Sequence, residues 1–246
     1  MRTFRLAMII AVGAAPMWWA RAQSLDPLVV DPGHYHLDLQ NQWVRVIREH
    51  MTPHDTMPMH QHPEPGAVIV FFTARHNRLT SPQGVSQELR DPAEKVMWSP
   101  ASTHRSENLS DAPFEAVQIE PKVPAHAALS SAFSVGKRDA TVVDPKHYQV
   151  VLENEYVRVI RVTIGPHEKL AMHVHPATGA VLVHLTDQNL RLTFADGTTR
   201  ETHYAARQIH WAAPAQSHQD ENLSGSPLRF IRVELKMAAG GEVPSN

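Results

Sequence analysis

Not one of the 246 residues is a cysteine, which removes disulfides, thiolate nucleophiles and sulfur-ligated metal sites from consideration. An excess of charge of one sign is missing too. There are 23 Lys and Arg against 25 Asp and Glu, a formal net charge of -2; without a strong positive field the chain cannot gather phosphates, and nucleic acid is excluded as a partner. With 42% hydrophobic and 20% charged residues, the composition fits neither a disordered chain nor a polytopic membrane protein. No long amphipathic helix can be traced. Histidine is abundant instead, at 17 residues, so any metal site must rest on nitrogen and oxygen ligands.

The N-terminus reads as an address. Arg2 and Arg5 give a positive start, Leu6 to Trp19 form an apolar stretch, and Ala20-Arg21-Ala22 offers the small residues a signal peptidase requires. The expectation is an export signal over residues 1–22, cleaved before Gln23, and a periplasmic or secreted protein with no membrane attachment afterwards. The apolar stretch falls short of the ~20 residues a spanning helix needs.

What remains is an internal repeat. Val30-Asp31-Pro32 returns as Val143-Asp144-Pro145 and His34-Tyr35 as His147-Tyr148, an offset of 144 − 31 = 113. At the same offset Val44-Arg45-Val46-Ile47-Arg48 returns as Val157-Arg158-Val159-Ile160-Arg161, Met59-His60 and His62-Pro63 as Met172-His173 and His175-Pro176, and Gly66-Ala67-Val68 as Gly179-Ala180-Val181. Later, Glu107-Asn108-Leu109-Ser110 aligns with Glu221-Asn222-Leu223-Ser224, where the offset is 222 − 108 = 114, one residue having been gained near Pro214. A colinear series of this kind is the mark of duplication. It divides the mature chain into a first copy over residues 28–122, an Ala-, Ser- and Pro-rich connector over 123–140 with a short helical turn expected at 125–131, and a second copy over 141–237.

Each copy reads as short strands separated by turn-formers. Trp43 to Arg48, Ala67 to Thr73, Val96 to Trp98 and Phe114 to Ile119 are β-branched and aromatic, with counterparts at Tyr156 to Ile164, Val181 to Thr186 and Leu228 to Leu235. The expected fold class is all-β, a barrel or double-sheet jelly roll in each copy.

Residues two apart on a strand point the same way, so His60 and His62 project together, as do His173 and His175. Two imidazoles cannot complete a metal site. His104 and His218, 42 and 43 residues later in sequence (104 − 62 and 218 − 175), are far enough along to return beside the first strand through a hairpin or two. Three neutral imidazoles would leave coordination positions open for water or substrate.

This pattern resembles the cupin superfamily, and the duplication makes it similar to bicupins. Gly165 with His173-Val174-His175-Pro176 resembles the first cupin motif; Pro214, His218 and Asn222 resemble the second; and the first copy supplies His60-Gln61-His62-Pro63, Pro100, His104 and Asn108. The likeness runs from about Leu28 to Lys236. It implies two tandem cupin jelly-roll barrels, each with a divalent ion held by His60, His62 and His104 or by His173, His175 and His218. Imidazole ligands do not distinguish Fe, Mn, Zn, Ni or Cu. The departures bear on mechanism. Where the family has a glutamate ligand, this chain has Gly66 and Gly179, so both copies have lost the carboxylate and the site carries no ligand charge. Three-histidine centres occur among cupin-like oxygenases. The resemblance therefore implies oxygenase-like or Lewis-acid chemistry on a small molecule. No general base is visible in either copy, and a non-catalytic protein that binds a metal or a small ligand stands as the alternative. Assembly into a homo-oligomer is compatible with either.

Other residues carry plainer expectations. His54 and His167 follow a turn-forming proline and should be exposed. His184 stands where the first copy has Phe71, with parity opposite to Val181, and should face away from the barrel interior. Trp98 and Trp211 should pack in the core, and Asn108 and Asn222 should satisfy backbone groups at a loop end. Arg45 and Arg158 should lie on a solvated outer face, and Glu120 and Glu234 have no assignable task.

Overall fold

Residues 24–122, 133–214 and 217–236 are described by a computed structural model. The export signal expected over residues 1–22 and the helical turn expected at 125–131 lie outside the described residues.

The β-branched and aromatic runs become strands in both copies. The first contains β1 (Tyr35–Gln40), β2 (Val44–Met51), β3 (Thr56–Phe71), β4 (Arg75–Thr80), β5 (Ser86–Asp91), β6 (Val96–Asn108) and β7 (Phe114–Pro121). They form one antiparallel sheet in the order β1-β2-β7-β3-β6-β4-β5. The long β3 and β6 hold it together, pairing with register shifts between Met57 and His60 and between His62 and Gly66. Such irregularities bend a strand and re-aim its side chains, and here they bracket the two histidines.

The second copy contains β8 (Tyr148–Glu153), β9 (Val157–Ile164), β10 (Ala180–His184), β11 (Gln188–Phe194), β12 (Thr199–Tyr204), β13 (Ile209–Ala212), β14 (His218–Asn222) and β15 (Leu228–Leu235). Its strands make a five-stranded sheet, β13-β10-β15-β9-β8, and a three-stranded one, β12-β11-β14. Where the first copy has the continuous β3, this copy has isolated bridges, His173 to His218 and Lys169 to Glu221, and then β10. The architecture is all-β, as expected. The helices among the described residues are single turns, α1 (Pro27–Val30) and α2 (Ala140–Val143), capped by Asp26 accepting from Leu28 N and by Asp139 accepting from Thr141 N. Four residues are too few to show a helical period. Asp139 and Ala140, expected in the connector, are buried.

Three apolar clusters account for the packing. Ile47, Ile69, Phe71 and Phe114 pack inside the first barrel, and Ile160, Val162, Leu190 and Phe230 inside the second. The third cluster draws on both copies, with Val46, Val68, Val70 and Ile119 against Val159, Val181, Val183 and Val233. Strands such as Ala67 to Phe71 are therefore apolar on both faces, one turned to their own barrel and the other to the neighbouring copy. Polar contacts across this interface are reciprocal. Arg48 Nη2 donates to Arg207 O at 2.8 Å and Arg161 Nη2 to Glu94 O at 2.6 Å, where Arg161 is the repeat partner of Arg48 and Arg207 that of Glu94. Contacts exchanged in this way are what a twofold relation between copies produces.

Candidate metal centres

His60 and His104 are direct cross-strand partners on β3 and β6, and His62 lies two residues further along the same face. One donor atom from each of the three falls within 4.8 Å of the others, and His173, His175 and His218 meet the same test. In the second copy, where β3 has no continuous counterpart, the backbone pairing survives at this point: His173 N donates to His218 O at 2.9 Å and His218 N to His173 O at 3.0 Å. The six histidines picked out from spacing thus form two clusters, one per barrel.

Each first histidine has its tautomer set by the backbone. Pro58 O lies 2.8 Å from His60 Nδ1 and Ala171 O lies 3.0 Å from His173 Nδ1. A carbonyl only accepts, so the proton sits on Nδ1 and the lone pair on Nε2, inside the cluster. Burial, with His62 adding to it, pushes the pKa of His60 down to about 4; burial and the neighbouring His60 and His62 push His104 to about 3. His173 is lowered by burial and by His218, and His175 well below its usual value by burial and by Arg232. Three imidazoles gathered with their ring nitrogens this close are the nitrogen donor set that a divalent first-row ion takes, so these residues fit the ion.

Behind each second histidine lies a carboxylate that the sequence left without a task. Glu234 Oε1 is 3.3 Å from His175 Nδ1, and Glu120 Oε1 is 3.8 Å from His62 Nδ1. A carboxylate behind the ring orients a metal-ligating histidine and raises its basicity. Each carboxylate is held in turn by an arginine. Arg158 Nη2 pairs with Glu234 at 2.7 Å and with Asp139 at 2.8 Å; Arg45 Nε pairs with Glu120 at 2.6 Å, and its Nη1 with Asp26. The solvated face expected for these arginines is therefore wrong. The Arg158 side chain is 2% exposed and that of Arg45 16%, because the capping aspartates of α2 and α1 close over them.

A tyrosine meets each cluster, and sequence reasoning passed it over although His34-Tyr35 and His147-Tyr148 recur together. Tyr35 Oη lies 3.0 Å from His60 Nε2. Tyr148 Oη lies 3.3 Å from His173 Nε2 but donates to Asp220 Oδ2 at 2.5 Å. Asp220, two residues beyond His218 on β14, points into the same site, with Oδ2 3.7 Å from His173 Nε2. The first copy has Ser106 there. The second centre thus has a carboxylate and a candidate acid–base group after all, supplied by a position other than the family's glutamate. That position cannot supply one. Gly66 and Gly179 take φ of +120° and +76°, and an added Cβ would sit 2.3 Å from Ser99 O or 2.4 Å from the Trp211 ring.

The cavities beside the two centres differ. In the first barrel the space is about 50 Å³. Glu49 lines it: buried and accepting from Gln118 Nε2 at 2.9 Å, it has a pKa raised by burial. In the second barrel the cavity is about 440 Å³ and reaches His175, His218 and Asp220. His184 lines it, 1% exposed, with its ring stacked on Tyr204 at 4.3 Å and on His210 at 5.1 Å. The expectation that His184 faces away from the interior is thus overturned. Its parity was read correctly, but Val181 and Val183 belong to the face packed on the other copy, which leaves Leu182 and His184 to the inside.

The expectations for His54, His167, Asn108, Asn222, Trp98 and Trp211 hold. The His54 side chain is 64% exposed, and His167 is exposed. Asn108 Nδ2 donates to Thr52 O and Ala112 O, and Asn222 Nδ2 to Gly165 O and Ser226 O. Trp98 and Trp211 pack against the shared core, Trp98 stacking on Tyr156, and Trp211 also borders the larger cavity.

No family model matches the chain, and no curated protein does. Solved structures do. AerE from Microcystis aeruginosa superposes with a TM-score of 0.56 at 16% identity, over 82% of this chain and 93% of that one. Oxalate decarboxylase from Lactobacillus farciminis, as its formate complex, gives 0.52 at 13% identity over 82% and 83%. A cupin 2 conserved barrel domain protein from Leptotrichia buccalis gives 0.50 at 9% identity over 82% and 88%. At such identities the likeness concerns the fold alone, and the fold of this chain is that of two tandem cupin jelly-roll barrels.

Proposed function

We propose that this chain is an exported, metal-binding bicupin that holds one divalent ion in each barrel and carries out metal-dependent chemistry on a small molecule in the second. The observation that carries the reading is the convergence, in both copies, of three buried imidazoles with their donor atoms within 4.8 Å of one another. A divalent ion bound there supplies Lewis acidity and, if it is redox-active, oxygenase-like chemistry. The chain's own residues do the rest. Glu234, 3.3 Å from His175 Nδ1, and Glu120, 3.8 Å from His62 Nδ1, place negative charge behind the second histidines, and Tyr148 holds a proton against Asp220 Oδ2.

The non-catalytic alternative is favoured for the first barrel by one feature: the space beside its centre, lined by the hydrogen-bonded Glu49 and Gln118, is only about 50 Å³. Metal analysis of the purified full chain at neutral pH tests the reading. Two equivalents of divalent ion are expected, falling to one when His60, His62 and His104 become alanine and to one when His173, His175 and His218 do. A wild type that retains no more metal than the variant lacking all six histidines would refute it. Oxygen uptake with candidate substrates then separates oxygenase-like turnover from binding.

A further inference from the structure

The duplication provides an internal comparison at the floor of each barrel. On the inward faces of β2 and β9, Glu49 of the first copy stands where the second has Val162, an offset of 162 − 49 = 113; on β7 and β15, Gln118 stands where the second has Arg232, an offset of 232 − 118 = 114. The first barrel therefore carries a buried carboxyl bonded to an amide. The second has removed the carboxyl and replaced the amide by a guanidinium.

That guanidinium is half-partnered. Arg232 Nε donates to Glu234 Oε1 at 2.9 Å, and neither of its Nη nitrogens makes a hydrogen bond to any described residue. The side chain is 8% exposed and borders the 440 Å³ cavity, a volume within the range of small-molecule sites. Its one carboxylate is shared, since Glu234 also pairs with Arg158. A planar guanidinium whose Nη donors border an open cavity is suited to a carboxylate bound through both oxygens. Leu182 and Phe230 flank Arg232 on its own sheet, Leu192, Phe194 and Tyr204 face it from the other sheet, His184 stacks on Tyr204, and Gln188, Arg200 and Thr202 add polar groups to the lining.

We propose that the second barrel binds an organic monocarboxylate with a flat, largely apolar body, its carboxylate on the Nη atoms of Arg232 beside the metal centre and its body against the aromatic wall. This rests on the reading of the barrel as a metal-dependent small-molecule site. Glu49 shows within the same chain what the arrangement looks like when the protein supplies the carboxyl itself, and the first barrel accordingly takes no such ligand.

The test is calorimetric titration of the metal-loaded full chain with phenylacetate, cinnamate and benzoate against the corresponding amides, with metal content measured on every sample. At least one acid is expected to bind at one equivalent per chain and at least tenfold more tightly than its amide. Arg232→Gln should abolish that preference. Val162→Glu, which restores the first barrel's own carboxyl and keeps the arginine, should weaken acid binding at least tenfold while leaving two metal ions bound. An acid series that binds no better than its amides, or acid binding that survives both substitutions, overturns the assignment. Metal content keeps the two ideas apart. Two ions bound without acid preference sink this proposal and spare the metal reading, whereas absence of metal sinks the metal reading whatever the acids do.

Discussion

Alanine at Gly66 should harm this protein more than alanine at Gly179, although the two glycines are repeat partners. Both take positive φ, a conformation that costs a residue bearing a Cβ roughly 1–2 kcal/mol. What the Cβ meets is different. At Gly66 it would lie 2.3 Å from Ser99 O and 2.9 Å from Pro100 Cα, both backbone atoms of β6, so relief requires β3 and β6 to part. At Gly179 the nearest atoms all belong to the Trp211 ring, the first at 2.4 Å, and that ring borders a cavity of about 440 Å³ into which it can swing. Overpacking against structure that cannot yield adds about 1–3 kcal/mol. The total is then ~2–5 kcal/mol for Gly66→Ala, and ~1–2 kcal/mol for Gly179→Ala, where the strain alone remains. Against a typical stability of roughly 5–15 kcal/mol, the first should lower the urea midpoint clearly and the second modestly. Urea unfolding of the full chain, followed by far-ultraviolet circular dichroism and tryptophan fluorescence, measures both. Equal losses, or a greater loss at Gly179, would refute the reasoning.

Acid should weaken the second barrel through His184. Burial, with His210 adding to it, pushes its pKa to about 3, so the residue is neutral in the fold and takes up a proton on unfolding once the pH drops below about 6.5. The unfolded chain binds more protons in that window, so the contribution is complete above pH ~6.5 and is lost at about 1.4 kcal/mol per pH unit as the pH falls towards 3. His184→Phe, the first copy's residue, should flatten the dependence in urea titrations at pH 7, 6 and 5, and an unchanged slope would contradict the assignment. Removing Arg158 leaves the buried Asp139 without its cation and Glu234 with Arg232 alone, and Arg158→Ala should cost about 3–5 kcal/mol. Arg45→Ala, at a more exposed site, should cost less; thermal melts showing equal losses would speak against the buried network.

Much of the site was readable because it repeats. His60-x-His62 and His173-x-His175 follow from the alternation of a strand, and the third histidines from their recurrence at matching distance. Tyr35 with Tyr148, and Glu120 with Glu234, recur just as regularly and were open to the same logic. They were passed over because nothing in their spacing to the histidines brings them near; only the pairing of β7 with β3 and of β15 with β10 carries the glutamates behind the rings. Asp220 and Arg232 broke the repeat, so duplication offered no signal for them.

The amino-acid order by itself determined that the chain is an all-β protein with motifs that recur along it, and which six imidazoles would gather, since period-two alternation and internal repetition are local properties that need no knowledge of neighbours. Which face of each strand is inside was decided by tertiary structure alone. The two copies pack their outer valines against each other, so an apolar side chain no longer marks the barrel interior, and His184 and Arg232 fall on the cavity wall where a single isolated barrel would have led one to expect solvent.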